Sequence, residues 1–476
     1  MIRWLPNPMT THVPVLVVGA GISGLVCAHA LRKSGIDAQI VEAAPRPGGL
    51  IRSERRDGYL LELGPQSFSA TPQLLDLYRD LAIANELVEA PARAPRFLLL
   101  NGQLKQAPLS PPAFFASSLF SARTKWGVTR DLFGHTKPPD VDESVAAFVR
   151  RKFSAELLDK LVAPFVSGIY AGDPEKLSLR ASFPQLHEAE RASGSVIRGM
   201  LRTAKPAKRD RGPKKRPTLQ TFKEGNETLT KTLAASLGPA LHCGVEVISL
   251  QHSGAGRPSS GARFVVNVKS ETGNDSIVAD HLVLATPPNI AAKLLQSALE
   301  TIEKSRLNEI EFASLAVVSL GYQKSAIGHS LEGFGFLIPR SEKLRTLGSV
   351  WNSSLFPNRA PDGHVLLTSF IGGATDPAAV SLPAQDIAAL VHRELAPILS
   401  ISQPPVFTNV QIYERALPQY NLGHLDRMAR PSEPALRDEN LWFVGNYLRG
   451  PAIGACIDQA LSVAQEICSR SAMGVV

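Results

Sequence analysis

Cysteine is scarce in this 476-residue chain and follows no pattern. The four cysteines lie far apart in sequence, without the close pairs that zinc sites use and without the density of a disulfide framework. We therefore expect free thiols that are buried as small apolar side chains in a reducing compartment. They are Cys27, Cys243, Cys456 and Cys468.

Long hydrophobic runs are also missing. A helix that spans a bilayer needs about 20 predominantly apolar residues in succession. The nearest candidate, residues 14–31, is interrupted by three glycines, and residues 1–10 carry no cleavage pattern. We predict neither a secretory signal nor a spanning helix. The expected location is the cytoplasm, with peripheral attachment to the inner face of the membrane.

Excess charge is absent from most of the chain, although the formal net charge is +8. Residues 198–216 contain nine basic residues and one acid, Asp210, so this tract alone has a net charge of +8. The remainder is balanced, which argues against a nucleic-acid-binding protein. The tract is interpreted as a solvated surface loop, or alternatively as a segment that contacts anionic lipid head groups.

No arrangement of catalytic side chains can be recognised. The sequence shows no Ser-His-Asp pattern, no cluster with metal-ligand spacing and no obvious general base. His424 lies near the segment ALPQY, and we expect it to be structural. The sequence therefore predicts no metal site and assigns no catalytic residue.

What the chain does contain is a strand–turn–helix–strand unit between residues 13 and 42. A buried apolar strand, residues 15–18, enters a glycine turn, and a helix follows to about residue 34. A second strand, residues 38–41, ends on Glu42. The turn has the pattern Gly-x-Gly-x-x-Gly, which is typical of dinucleotide binding when strand, helix and acid occur in this order. A chance glycine pattern, a signal peptide and a membrane helix are the alternatives.

Each glycine of the turn has its own expected role. Gly19 permits the tight turn, Gly21 lets the backbone approach a pyrophosphate, and Gly24 allows close packing of helix and strand. The helix N-terminus offers free N–H groups and a partial positive charge to phosphates. Glu42 is placed to accept hydrogen bonds from a ribose hydroxyl. FAD and NAD are the two candidate dinucleotides for such a turn. A flavoprotein that also bound NAD would be expected to show two complete fingerprints, and this chain has one.

A second glycine turn follows, with Arg46, Gly48 and Gly49, and then an alternating strand that ends in Gly64-Pro65. Helical spacing predicts a helix over residues 71–88. Asn-Gly at positions 101 and 102 predicts a hairpin. Residues 108–180 are mainly helical and rich in phenylalanine. Further strands are expected at 245–250, 264–268, 281–285, 315–322, 348–352, 365–371 and 407–413, with helices near 383–395 and 452–468.

Several motifs in a fixed order resemble the flavin amine oxidase superfamily and, within it, the oxygen-dependent protoporphyrinogen oxidases. The first three are GAGISGL, EAAPRPGGLIRS and ELGPQSF, and further matches extend along almost the whole chain. The most discriminating segments are residues 166–174, 333–351 and 416–424. The resemblance implies an α/β fold, with a Rossmann-type FAD-binding domain, a mixed-sheet substrate domain and an inserted helical lobe associated with a membrane. The expected divisions are 11–90, 218–298 and 416–476 for FAD, 91–107 and 299–415 for substrate, and 108–217 for the lobe, with its basic loop at 198–217.

FAD is the cofactor that the resemblance implies. The residues expected to contact it are Gly19, Gly21, Ile22, Ser23, Gly24, Glu42, Ala43, Arg46, Gly48, Gly49, Leu50, Gly64, Pro65, Gln66, Ser67, Val247, Thr286, Gly445, Asn446, Ala452 and Ile453. Related flavoproteins often carry an acid where this chain has Asn446. The second helix N-terminus, near residues 450–453, is expected to point at the flavin ring and to stabilise negative charge on the reduced flavin.

The substrate implied by the resemblance is a large apolar macrocycle with two propionates. Arg96 matches the family's propionate-binding arginine, since a guanidinium suits a carboxylate; a surface salt bridge is the alternative. Leu337, Val350 and Phe370 match positions that sandwich the macrocycle, and ordinary core packing is their alternative. Gly168 is expected to let the backbone approach the substrate, and a simple turn glycine is the alternative.

The implied reaction oxidises protoporphyrinogen IX to protoporphyrin IX in three two-electron cycles, with O₂ as acceptor and H₂O₂ as product. Coproporphyrinogen III is the alternative substrate, and an amine oxidase or carotenoid desaturase is a more distant possibility. A flavin-stabilised membrane adaptor is the non-enzymatic alternative. The expected partners are a membrane surface, a second copy of the chain and the metal-inserting chelatase, with no nucleic acid.

Overall fold

A computed structural model of the protein describes residues 11–203, 218–252, 264–296, 303–428 and 440–472. The first part of the predicted basic loop, residues 198–203, is helical, because it belongs to the helix Val196–Thr203. Residues 204–217 lie outside the described residues, so the structure does not address the expectations for them.

Within these ranges the strands are numbered in chain order. They are β1 (Thr11–Val18), β2 (Ala38–Glu42), β3 (Ser53–Arg56), β4 (Tyr59–Glu62), β5 (Phe68–Ser69), β6 (Leu87–Glu89), β7 (Arg96–Leu100), β8 (Gln103–Gln106), β9 (Leu219–Phe222), β10 (Leu241–Cys243), β11 (Glu246–His252), β12 (Phe264–Ser270), β13 (Gly273–Leu284), β14 (Phe312–Gln323), β15 (Gly335–Leu337), β16 (Thr346–Val350), β17 (His364–Gly372), β18 (Phe407–Pro418) and β19 (Leu441–Phe443).

The α-helices of the same ranges are numbered in the same way. They are α1 (Ile22–Lys33), α2 (Pro72–Asp80), α3 (Pro111–Ala116), α4 (Ala122–Phe133), α5 (Val145–Lys152), α6 (Ala155–Leu157), α7 (Ala163–Tyr170), α8 (Leu179–Ser182), α9 (Pro184–Ser193), α10 (Val196–Thr203), α11 (Glu227–Leu237), α12 (Pro288–Gln296), α13 (Glu303–Asn308), α14 (Asn352–Leu355), α15 (Ala384–Leu399), α16 (His424–Met428) and α17 (Ile453–Ala472). A π-helical turn, Leu158–Val162, joins α6 to α7.

The first sheet has the strand order β10-β2-β1-β13-β12-β11, and β19 also pairs with β13. Strands β10, β2, β1, β13 and β19 are parallel, whereas β11 and β12 are antiparallel additions. Helices α1, α11 and α17 pack on this sheet in one apolar core. Because the carboxyl ends of β1, β2, β13 and β19 meet at one edge, the residues that follow these strands are brought together there.

The second sheet has the order β18-β14-β17-β16-β15-β7-β8. One face is covered by α15, whose Ile387, Val391 and Leu395 are fully buried. The predicted hairpin is present as β7 and β8. Its turn residues, Asn101 and Gly102, both adopt positive φ (53° and 71°), as a two-residue hairpin turn requires.

Helices α3 to α10 lie between β8 and β9 in the sequence and form a separate cluster. Its apolar centre includes Phe120, Phe148 and Val166. A buried ionic group accompanies it, in which Lys152 Nζ lies 2.6 Å from Asp131 Oδ1 and 3.2 Å from Glu190 Oε1. Among the helices that the structure describes, none combines the length and apolar character that crossing a membrane requires.

The sequence-based expectation about the length of one helix is wrong. The helix predicted over residues 71–88 ends at Asp80, because Ala82 adopts a left-handed conformation with φ 55° and residues 87–89 pair with β9 instead. The strand expected after residue 58 is confirmed as β4. All four residues of β4 are buried, including Glu62.

Candidate functional site

The glycine turn after β1 has the geometry of a phosphate cradle. Gly19 has φ +105°, and a Cβ there would lie 2.8 Å from Ala285 O; a Cβ on Gly24 would clash with Gly19 O. These two glycines are therefore required by packing. Gly21 differs, because a Cβ there would meet nothing within 4 Å. It is the N-cap of α1 and, as a glycine, has no side chain that could cap the first N–H groups of the helix.

Glu42 ties the neighbouring loops together. Its Oε2 accepts the backbone N–H of Ala20 at 2.6 Å, and its Oε1 accepts that of Ala44 at 2.9 Å. A carboxylate oxygen has a second lone pair, so these bonds leave capacity for a ribose hydroxyl. The N–H of Val245 donates to the Glu42 carbonyl at 2.9 Å, which brings the segment that leads to Val247 beside the same strand end. Ala43 is exposed.

The second glycine turn folds over the first. The Gly48 N–H donates to Ala20 O at 2.7 Å, and a Cβ on Gly49 would lie 3.3 Å from Gly21 Cα. Both residues have positive φ, 106° and 57°, which explains the Gly-Gly pair. Arg46 donates to Gly49 O at 3.0 Å, so its guanidinium also holds this turn closed. Leu50 is 41% exposed next to it.

The segment 64–67 links this region to the second sheet. A Cβ on Gly64 would clash with Leu50 O. Gln66 donates to Glu62 O at 2.8 Å and accepts from Asn352 Nδ2 at 2.9 Å, so its side chain is engaged in protein contacts. Pro65 O accepts from the Asn226 side chain. Ser67 is half-buried.

The ends of β13 and β19 complete the edge of the first sheet. Thr286 Oγ1 is buried and has no hydrogen-bond partner among the described residues. The Gly445 N–H donates to Gln459 Oε1 at 3.2 Å. The carbonyl of Asn446 accepts from the Tyr420 hydroxyl. Ala452 is exposed, Ile453 begins α17, and this helix packs against α1. Ser23 and Ile22 lie at the facing N-terminus of α1.

Four of the five predicted substrate residues share one face of the second sheet: Arg96, Leu337, Val350 and Phe370. Side chains of directly paired residues, and of residues two apart on a strand, point to the same face. Gly348 pairs with both Leu337 and Phe370, and Val350 lies two residues beyond it. Gly335, the partner of Val350, pairs on its other side with Arg96. This face is opposite to the one covered by α15.

Gly168 meets this face from α7. A Cβ on Gly168 would lie 2.9 Å from Leu337 Cδ2, so the two predicted substrate residues are direct neighbours. Gly168 is exposed, as are Phe165 and Ile169 on the same helix. The sheet face and α7 therefore present apolar side chains to a common space.

Arg96 lies at the start of β7 with its guanidinium 5.1 Å from the Phe334 ring centroid. Partial desolvation by the surrounding protein lowers the pKa of Arg96 from its ordinary value, although the residue is exposed and the group stays charged. Its cation has no carboxylate partner among the described residues. The salt bridge considered as an alternative is therefore not present within them.

A buried network beside the glycine turns was missed by sequence reasoning. Arg359 and Glu62 are 2% and 3% exposed, and Arg359 Nη1 donates to Glu62 Oε1 at 3.0 Å. Glu62 also accepts from the Ser53 hydroxyl at 2.6 Å and from the Asn226 N–H at 3.0 Å. Burial raises the pKa of Glu62 to about 7, partly opposed by Arg359. An acid within an otherwise apolar strand, Tyr59–Glu62, was the available signal.

Residues 22–468 match the family model described as flavin containing amine oxidoreductase. The chain belongs to this family. Flavin oxidoreductases of this family carry FAD, so FAD is the cofactor that membership implies.

Two relatives and one solved structure illustrate the range of similarity. Chloroplastic protoporphyrinogen oxidase of Nicotiana tabacum is 35% identical over 474 residues, which cover 95% of this chain and 85% of the relative. Coproporphyrinogen III oxidase of Bacillus subtilis is 30% identical over 466 residues, 94% of this chain and 96% of the relative. A crystal structure from Exiguobacterium sp. 255-15 has the same fold, with a TM-score of 0.78 at 23% identity, covering 98% of this chain and 100% of that one.

The residues at the edge of the first sheet fit FAD. The uncapped N-terminus of α1 and the open space at Gly21 suit a pyrophosphate, and the unpaired Thr286 Oγ1 supplies a buried polar group at the same edge. In this flavin oxidoreductase the first sheet has an edge that fits the cofactor, and the second sheet has an apolar face that also carries the Arg96 cation.

Proposed function

We propose that this chain oxidises protoporphyrinogen IX to protoporphyrin IX, using FAD, with O₂ as the final acceptor and H₂O₂ as product. The observation that carries the proposal is the 35% identity, over 95% of this chain and 85% of the relative, to a protein named protoporphyrinogen oxidase. The relative named coproporphyrinogen III oxidase is 30% identical. A face with apolar side chains and the cation of Arg96 is suited to a macrocycle with carboxylates on one edge.

The proposed roles of the substrate residues follow from their positions. Arg96 would bind a propionate at one end of the sheet face, through two parallel hydrogen bonds. Leu337, Val350 and Phe370 would contact the macrocycle, and Gly168 would keep α7 close enough to enclose it. Val350 is smaller than the leucine expected there, which widens this space. Most of the rate would come from fixed relative placement of substrate and cofactor.

Bound FAD would supply a two-electron acceptor, and three cycles account for the six electrons removed from the substrate. The residues of the chain would hold the cofactor and the substrate in place. The first glycine turn, Glu42 and Thr286 would hold the cofactor at the edge of the first sheet. The N-terminus of α17 contributes a partial positive charge near residues 450–453, which favours added negative charge there. No described side chain is required as a base, since a pyrrole N–H can release its proton to solvent.

Turnover of the two porphyrinogens by the purified FAD-loaded protein tests the proposal. Porphyrin fluorescence and peroxide release would be followed in air, with an oxygen-free reaction as control. We expect protoporphyrinogen IX to be oxidised with the higher kcat/KM. Faster turnover of coproporphyrinogen III would transfer the assignment to that substrate. No peroxide with either would favour the non-enzymatic alternative.

We also propose that α4 and α10 dock on an anionic membrane surface at the inner face of the membrane. Trp126 and Phe133 of α4 are 67% and 78% exposed, and Met200 and Leu201 of α10 are 46% and 56% exposed. The two helices pack together, and Arg123 of α4 is exposed as well. Apolar side chains next to basic ones suit a lipid interface.

Flotation with phosphatidylserine-containing vesicles tests this docking. Replacing both Trp126 and Phe133 by serine should move the protein from the vesicle fraction to the aqueous fraction. Val406→Ser, which removes another exposed apolar side chain, beside β14 of the second sheet, should leave flotation unchanged. A wild-type protein that stays in the aqueous fraction would contradict the proposal. Self-association and transfer of product to a chelatase stay predictions.

A further inference from the structure

The hydroxyl group of Tyr420 makes hydrogen bonds to both ends of the backbone segment that leads from β19 into α17. The Gly450 N–H donates to Tyr420 Oη at 2.7 Å, and the Tyr420 hydroxyl donates to Asn446 O at 2.5 Å. The two ends of the segment 446–450 are therefore tied to one side chain. Gly450 has φ +135°, a conformation that requires glycine, so this part of the loop is built to a specific shape.

Tyr420 itself is held rigidly. Its side chain is fully buried, and its ring stacks on His424 with centroids 4.2 Å apart and an interplanar angle of 13°. The Tyr170 ring lies 5.9 Å away on another side. Burial raises the pKa of Tyr420, so the hydroxyl keeps the proton that it donates to Asn446 O. Burial lowers the pKa of His424 to about 4, so this ring is neutral.

Gln419, the residue before Tyr420, makes a comparable contact with helix α7. Gln419 is 3% exposed, and its Nε2 donates to Tyr170 O at 2.9 Å. Tyr170 is the last residue of α7, and Ala171 ends the helix in a left-handed conformation. The side-chain amide of Gln419 therefore holds the C-terminus of the helix that carries Gly168 against Leu337.

We propose that Gln419 and Tyr420 are positioning residues that set the substrate helix and the cofactor loop relative to each other. Gln419 holds α7, and Tyr420 holds the loop 446–450 at the N-terminus of α17. Because Gln419 and Tyr420 are adjacent, one stretch of backbone fixes the distance between α7 and the loop 446–450. This inference rests on the proposed function, in which hydride transfer requires that the two parts be placed within a fraction of an ångström.

The two side chains should produce different kinetic changes. Tyr420→Phe removes the hydroxyl and releases Asn446 O and Gly450 N–H. In the FAD-loaded full chain we expect the limiting rate of flavin reduction by protoporphyrinogen to fall about ten- to a hundredfold. The midpoint potential of the bound flavin should fall, because the N-terminus of α17 is held less firmly. KM should change by less than about twofold, since the substrate face is intact.

Gln419→Met keeps the side-chain volume and removes the donor to Tyr170 O. It should raise KM for the porphyrinogen several-fold and leave the midpoint potential unchanged, because it releases α7 and not the loop. This variant also keeps the proposal testable if Tyr420→Phe fails to fold.

Tyr322→Phe is the matched control. Tyr322 is also fully buried, and its one hydroxyl partner among the described residues is His392 Nδ1, at 3.0 Å, behind the second sheet. It should lose comparable stability without a change in potential or reduction rate. If Tyr420→Phe behaves like this control, its role is structural only and the proposal is wrong. A wild-type protein that binds FAD but oxidises neither porphyrinogen would refute the proposed function. The midpoint potentials of the wild type, Tyr420→Phe and Tyr322→Phe would still decide the role of Tyr420.

Discussion

Arg96 is the residue for which sequence and structure make the sharpest kinetic prediction. Its cation stands at the end of an apolar sheet face and has no carboxylate partner among the described residues. Arg96→Ala should raise KM for protoporphyrinogen IX more than it lowers kcat, because it removes anchoring that is equal in ground and transition states. Steady-state kinetics with varied substrate would measure this. Arg93→Ala, an exposed arginine three residues away, is the control, and an unchanged KM in Arg96→Ala would refute the anchoring role.

Gly21 allows cofactor binding to be separated from folding. Since a Cβ on Gly21 meets nothing within 4 Å and its φ is −70°, Gly21→Ala should leave the apoprotein as stable as the parent. The added methyl group would occupy the space above the α1 N-terminus, so the Kd for FAD should rise about tenfold or more, which corresponds to roughly 1.4 kcal/mol or more. Flavin fluorescence titration measures this. Gly24→Ala is the contrasting variant, because its Cβ clashes with Gly19 O and should destabilise the apoprotein too.

At the scale of elements, the Arg359–Glu62 pair joins the loop before β17 to strand β4. Arg359 also donates to Thr221 Oγ1 at 2.6 Å, so three segments meet at one guanidinium. At pH 8, Arg359→Met should lower the free energy of unfolding by about 3–5 kcal/mol, because it removes the buried partner of the Glu62 carboxylate. Urea denaturation would measure the loss. The double variant Glu62→Gln/Arg359→Met should recover part of it, and equal losses in both would contradict the explanation.

The Arg359–Glu62 pair should also make the free energy of unfolding depend on pH. Burial raises the folded-state pKa of Glu62 to about 7, above the ordinary value of 4.5. A carboxyl group whose pKa is raised on folding contributes stability that is complete below its unfolded pKa and is lost as the pH rises through the folded pKa. Removing Arg359 should raise the pKa further. The destabilisation of Arg359→Met should therefore be smaller at pH 5 than at pH 8, and a loss that is independent of pH would contradict this assignment.

Elements with strong local signals were predictable, and elements made by distant pairing were not. The strand–glycine–helix unit, the Asn101-Gly102 hairpin and the α/β class are confirmed because glycine conformation and apolar periodicity act locally. The helix expected over residues 71–88 stops early because residues 87–89 pair with β9, more than 130 residues away. Arg359 could not be identified either, because nothing near it in sequence reveals the buried acid that it meets.

The candidate site shows the same division. The substrate residues came from a family resemblance, and the strand register now places four of them on one face. Their roles stay predictions. The contact between Gly168 and Leu337 and the bonds of Tyr420 to the loop 446–450 depend on how separate elements pack. Periodicity and composition do not encode such contacts, so local sequence patterns could not supply them.

For the whole molecule, the cofactor edge is assembled from three distant parts of the chain, residues 11–50, 281–286 and 441–453. A ligand that binds all three only when they are folded stabilises the native state by mass action. We expect FAD at 100 times its Kd to increase the free energy of unfolding by about 2.7 kcal/mol. The Tm of the FAD-free protein should therefore rise steadily with added FAD, as measured by circular dichroism. Gly21→Ala should shift this titration to higher FAD concentration without altering the starting Tm. A Tm that is independent of FAD would mean that the edge of the first sheet does not hold the cofactor.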